Sequence, residues 1–190
     1  MKDLQRQTLR RAKIQARESL TTTEREVQSQ QIAARIIASK QFQDAEKILI
    51  YRGIGGEVRL EGLENARESE GKQFLFPLCL PERQMAALAP KGEESWQSGS
   101  YGIMEPVMER SELVLPEDID LIICPCTVFD ESCNRMGMGG GYYDRYLPKC
   151  KNAVVAAAAF EVQKAEQVPM EPWDKAVDLV FTEKKTYFKK

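Results

Sequence analysis

The sequence predicts an α/β protein built on a mainly parallel sheet. Two observations carry that prediction. Short apolar runs recur at 47–51, 73–77, 120–125, 153–160 and 178–182, each of strand length. Several of them are separated by stretches with helical spacing, the pattern of strand–helix–strand units. At 190 residues, 43% apolar and 29% charged, the chain reads as one soluble domain spanning 1–190.

The elements follow in order. Residues 3–18 read as a helix with a thin apolar set of Leu4, Leu9, Ile14 and Ala16. Thr21, Thr22 and Thr23 break it, and Thr22 or Thr23 is the expected cap of a second helix, with Glu24 and Glu26 near its positive end. Val27, Ile32, Ile36 and Ile37 give that helix its apolar face to about residue 39. Residues 47–51 form a buried strand and 52–56 a loop; a helix spans 61–69 and stops at Gly71. Strands follow at 73–77 and, more weakly, 84–88. Residues 90–106 are turn-rich and read as irregular, with Trp96 and Tyr101 among them. After the strand at 120–125 comes a glycine segment, then a helix opening at 142–147, a strand at 153–160 and a last strand at 178–182. The expected architecture is a Rossmann-like three-layer sandwich, its sheet flanked by helices, with an N-terminal helical pair. In such sheets ligands gather beyond the carboxyl ends of the strands, so the loops after Tyr51, Pro77, Pro125 and Phe160 should share one rim.

Composition narrows the function. A formal net charge of -2 argues against a nucleic-acid partner. Charge is concentrated, however: Lys2, Arg6, Arg10, Arg11, Lys13 and Arg17 stand against Asp3 alone in the first helix up to that point, a patch suited to anions. No apolar run reaches the length of a membrane span, and the N-terminus carries no signal-peptide core. Five cysteines without a paired framework fit reduced thiols and a cytoplasmic location. Histidine is absent, which removes histidine triads, histidine metal sites and histidine acid–base chemistry.

Gly137-Met138-Gly139-Gly140-Gly141-Tyr142-Tyr143-Asp144 is the richest segment. Its glycines let backbone N–H groups approach an anion, and equally suit a tight loop. Arg135 and Arg145 flank it and favour phosphate. The spacing matches neither a Walker A loop nor the dinucleotide fingerprint. Asp144 reads as a magnesium ligand or as an ordinary first-turn carboxylate, with Asp174 a candidate second ligand. Arg6 and Arg10, four apart, share a helix face that suits a triphosphate clamp or simply solvent. Glu57, after Gly55-Gly56, suits an N–H-rich ligand or is a plain loop acid. Cys124, Cys126 and Cys133 lack zinc spacing and read as core or loop thiols.

Taken in order, Arg6-x-x-Leu9-Arg10, Arg17 with Leu20-Thr21, Glu57-Val58, Phe76-Pro77, Gly102 to Pro106, the 120–125 strand, the stretch from Phe129 to Leu147, Phe160, Gln167 to Pro169 and Trp173-Asp174 resemble the 5-formyltetrahydrofolate cyclo-ligase (methenyltetrahydrofolate synthetase) family over nearly the whole chain. The resemblance implies ATP-dependent closure of 5-formyltetrahydrofolate to 5,10-methenyltetrahydrofolate, with ADP and phosphate released. It implies MgATP and the folate as partners, without nucleic acid or membrane, in a monomer or weak homodimer. ATP would be held by Arg6, Arg10, Arg135, Gly137, Met138, Gly139, Gly140, Gly141, Tyr142 and Tyr143. The folate would meet Arg52, Glu57, Tyr101 and the Met138–Tyr142 segment, with Glu57 taking the pterin's N–H groups. Arg135, Tyr143 and Asp144 would be the catalytic set, and Asp144 and Asp174 the Mg2+ ligands. The alternative is a non-catalytic nucleotide- or folate-binding regulator on the same fold.

Overall fold

The structure is a computed structural model and describes residues 2–99 and 102–190, apart from the side chain of Lys2. Helices α1 (Lys2–Glu18), α2 (Thr22–Ile37) and α3 (Lys40–Asp44) lead into strand β1 (Lys47–Leu49). The one-turn helix α4 (Glu61–Glu64) precedes β2 (Gln73–Leu80) and β3 (Gln84–Pro90). Then come β4 (Trp96–Ser98), β5 (Met104–Pro106), β6 (Ser111–Val114), β7 (Leu121–Pro125), β8 (Val128–Phe129) and β9 (Arg135–Met136). Helix α5 (Tyr142–Tyr146), β10 (Val154–Ala158), β11 (Leu179–Phe181) and β12 (Thr186–Phe188) complete the chain.

The main sheet has the order β12-β11-β10-β7-β1-β2-β3-β6. Pairing is parallel from β11 through β2 and antiparallel at β12, β3 and β6. The predicted mainly parallel α/β sheet is therefore present. Strand alternation divides its core into two layers. Ile48, Ile50, Leu121, Ile123, Ala156, Ala158, Leu179 and Phe181 pack with Ile32 and Ile36 of α2, Phe42 of α3 and Leu63 of α4. Leu49, Ile122, Cys124, Ala157 and Val180 point the other way, onto Tyr146 of α5 and onto Leu147 and Cys150 just beyond it. Leu9 of α1 joins a third, smaller cluster of Val128, Met136, Ala165 and Val168, which seats the N-terminal helix on the β8–β9 ribbon.

Several expectations need correction. Thr21, not Thr22 or Thr23, caps α2, because a capping box with Glu24 satisfies backbone donors in both directions. Ser39 then caps α3, so α2 stops at Ile37. Val27 and Leu4 are exposed; α2 is held by Ile32 and Ile36, and α1 by Leu9. The helix expected over 61–69 breaks after Glu64, where extended Ala66 interrupts it before a 3-10 turn at Arg67–Ser69. The supposedly irregular 90–106 region contains the β4–β5 ribbon, and β12 follows the strand taken as last.

β1 pairs with β2 on one side and with β7 on the other. The chain thus turns away from β1 in both directions, and a crevice opens beyond the carboxyl ends of β1 and β7. Residues 50–57 and 126–136 leave the sheet at that crevice.

Candidate active site

Helix α1 crosses this rim with one basic stripe. Arg6, Arg10, Lys13 and Arg17 are spaced 4, 3 and 4 apart, which keeps them on one helix face. Each meets a different part of the rim. Arg6 forms a two-pronged bond to Asp174, at 2.5 and 3.2 Å, and also donates to Pro169 O. Arg10 donates from Nε to Gly137 O at 2.9 Å, inside the glycine loop. Lys13 donates to Val162 O. Arg17 is 3% exposed, with Nη1 4.0 Å from Glu57 Oε1. Burial and the neighbouring Arg6 charge together lower the proton affinity of Arg10.

The glycine loop is shaped by backbone that only glycine adopts comfortably. Gly139 has φ +110° and Gly141 φ +71°, and a side chain at Gly140 would strike the Tyr142 ring at 3.0 Å. Helix α5 is a mere five residues long, so it adds less helix-end field than the sequence suggested. Met138 projects into solvent beside the loop.

Arg135, on β9, is 2% exposed and bonds Asp144 Oδ1 at 3.1 Å. The same Oδ1 accepts the Lys175 backbone N–H, which brings Asp144 against the peptide that follows Asp174. Both expected metal carboxylates therefore lie on one wall, and each meets an arginine. Both Asp174 oxygens are engaged by Arg6, and its Oδ2 also accepts the Glu171 N–H. Among the described residues no cluster of three acidic or cysteine ligands forms. A magnesium ion needs only one or two carboxylates when phosphates and water supply the rest. Asp144, a fifth exposed and bonded through Oδ1, would fit that demand; Asp174 would fit it with Arg6 turned away to an anion.

Arg52 faces a different space. It forks onto Glu64, and its guanidinium lies 4.4 Å from the Phe76 ring centroid and 5.1 Å from that of Trp96. Arg52 and Trp96 line an open groove of about 590 Å³, bordered by Gly53, Glu61, Glu93 and Met104. Glu57, in the loop that also supplies Gly53, is 7% exposed and accepts the Ile54 N–H at 3.1 Å. Burial raises its pKa, opposed by that N–H and by Arg17. Tyr101 lies outside the described residues.

The crevice interior is rich in unmet polar atoms. The hydroxyls of Tyr51 and Tyr143, Nε of Arg135 and Nε and Nη1 of Arg17 are buried without a hydrogen-bond partner. Burial raises both tyrosine pKa values, so the phenols stay neutral. In the sequence Arg17 is legible only as part of the basic patch on the first helix, and Trp96 only as an aromatic wall or a core anchor; Tyr51 carries no signal of a role here.

This fold defines an α/β protein in which arginines and a glycine loop share one wall beside an aromatic groove. The model of the 5-formyltetrahydrofolate cyclo-ligase family matches residues 2–183, and the chain belongs to that family. A 5-formyltetrahydrofolate cyclo-ligase of Mus musculus is 30% identical over 181 residues, covering 87% of each chain. One from Haemophilus influenzae is 25% identical over 178 residues, covering 92% of this chain and 95% of the relative. The solved 5,10-methenyltetrahydrofolate synthetase of Aquifex aeolicus superposes with a TM-score of 0.84 at 31% identity, over 96% of this chain and 92% of that one.

Proposed function

We propose that this chain closes 5-formyltetrahydrofolate to 5,10-methenyltetrahydrofolate at the cost of ATP. The observation that carries the reading is the convergence of Arg6, Arg10, Arg135 and the glycine loop on one side of the β1–β7 crevice, with Glu57 and the Arg52 groove on the other. Family membership supports the same chemistry.

The chemistry suits a site without histidine. The formyl oxygen attacks the γ-phosphorus and ADP departs. N10 of the same molecule attacks the activated formyl carbon, the carbon–oxygen bond breaks to release phosphate, and the N10 proton is lost. The attack is intramolecular, so positioning and charge neutralisation supply most of the rate. Arg6, Arg10 and the N–H groups of the glycine loop bind the triphosphate. Arg135 and the Tyr143 hydroxyl stabilise the phosphoryl group in transfer. Asp144 and Asp174 are the residues that would hold a magnesium ion, which would supply neutralisation of phosphate charge. On this reading Arg6 and Arg135 turn from Asp174 and Asp144 to phosphate when ATP enters, which would leave both carboxylates free to hold the ion.

The test is direct. Purified protein, 5-formyltetrahydrofolate, MgATP and a reductant should develop the near-ultraviolet methenyl chromophore. No ATP-dependent signal across pH would refute the activity.

A further inference from the structure

Two buried donors of Arg17 meet no acceptor. Nε and Nη1 are closed to solvent, beside Gly56 and 4.0 Å from the carboxylate of Glu57. An unmet buried donor costs about 1–3 kcal/mol. The pair therefore marks a place where an acceptor belongs. The surroundings say which kind. Glu57 is an acceptor, already holding the Ile54 N–H. Neighbouring Tyr51 and Tyr143 bring further buried hydroxyls. Gly53, in the same loop as Glu57, lines the Arg52 groove, so the Glu57–Arg17 pair lies behind the loop that borders it.

We infer that Arg17 works as a pair with Glu57 in reading the edge of the pterin ring, holding Glu57 in place and giving its own unmet donors to the ring's carbonyl oxygen. The inference rests on the proposed folate role of Glu57. A pterin edge carries an amino group, a ring N–H and a carbonyl in sequence, two donor groups and one acceptor. A carboxylate beside a guanidinium presents the complement. Arg17 thereby connects the helix that carries the triphosphate clamp to the folate, from the next turns of the same stripe.

Groups from five elements surround the Glu57 loop. Helix α1 brings Arg17; α2 brings the aliphatic part of Arg25, whose guanidinium is bonded to Leu20 O; the end of β1 brings Tyr51; the end of β7 brings Cys126; α5 brings Tyr143. Burial holds the phenols and the thiol neutral. Arg17 is thus the cation that favours the Glu57 carboxylate against its burial.

The experiment compares wild type, Arg17→Gln, Arg17→Lys and Glu57→Gln by steady-state kinetics in both substrates across pH, with thermal unfolding of each. Arg17→Gln should raise the folate KM by about 10–100-fold, with the ATP KM within about twofold of wild type. Its kcat/KM for folate should fail at a higher pH than wild type as pH is lowered. The sign follows from Glu57: without the arginine its carboxyl protonates more readily, and the charged acceptor is lost sooner on the acid side. Arg17→Lys should restore the acid limb by restoring charge, yet keep a raised folate KM because the fork is gone. If Arg17→Gln is poorly folded, the lysine variant's KM split carries the test. A folded Arg17 variant with wild-type folate KM and acid limb, while Glu57→Gln raises the folate KM, overturns the role of Arg17 alone. A silent Glu57→Gln overturns the underlying folate reading.

Discussion

Arg10 of the N-terminal helix and Gly137 of the glycine loop, 127 residues apart in sequence, are joined by one bond from Nε to the carbonyl oxygen at 2.9 Å. That bond brings a basic helix and a flexible-looking loop together on one wall, the wall proposed to hold the triphosphate. It also leaves the remaining guanidinium nitrogens within reach of Gly139, where an added Cβ would sit 3.9 Å from Nη2.

Arg10→Ala should therefore raise the KM for ATP by about 10–100-fold, the equivalent of one charge-assisted bond of roughly 1.5–3 kcal/mol. The KM for folate should move much less. Initial rates with each substrate varied in turn decide it, and a larger effect on folate would reverse the assignment.

Asp144→Asn should weaken turnover most at limiting magnesium, by about 10-fold or more, with partial recovery as magnesium rises. Arg135 loses its carboxylate partner in the same variant. Chelation of magnesium should abolish wild-type turnover as well. Equal magnesium titrations for the two proteins would remove Asp144 from the site.

Gly139→Ala places a Cβ on backbone at φ +110°, at a cost of roughly 1–2 kcal/mol in an exposed loop. The effect should appear in ATP binding rather than in overall stability, because little of the core depends on this loop. The expected result is a kcat/KM for ATP lowered about 10-fold with Tm changed by only a few degrees. A collapse of Tm with normal kinetics in the folded fraction would contradict it.

Asp130 organises the approach to the site from within. Its Oδ1 accepts the N–H groups of Ser132 and Asn134, and its Oδ2 accepts Asn134 Nδ2 and the Val168 N–H. The turn it holds includes Cys133 at φ +60°, a conformation costly for a residue with a side chain. Asp130→Ala leaves buried donors unmet and should cost about 3 kcal/mol, or roughly 6–12 °C in Tm. Thermal unfolding measures this, and a loss under about 1 kcal/mol would show that the turn holds without it.

Some of this was legible before any coordinates. Runs such as 120–125 and 178–182 named the central strands because burial on both faces of a parallel sheet demands apolar residues throughout. The β4–β5 ribbon and β12 were not legible: they lie at or outside the edge of the sheet, where polar residues are tolerated and periodicity fades. The cap of α2 was misplaced by one or two residues because three consecutive threonines offer the same chemistry, and only the capping box with Glu24 selects among them.

The sequence by itself determined the α/β class, the glycine loop, the basic first helix and the carboxylates, because these depend on local composition and spacing. Tertiary structure decided what each faces. Arg6 meets Asp174, Arg10 meets Gly137 and Arg17 meets Glu57 only because strand order places the ends of β1 and β7 side by side and Leu9 seats α1 on the β8–β9 ribbon beside them. Such pairings join residues up to 168 positions apart, and their specificity comes from burial and geometry, which no local pattern encodes.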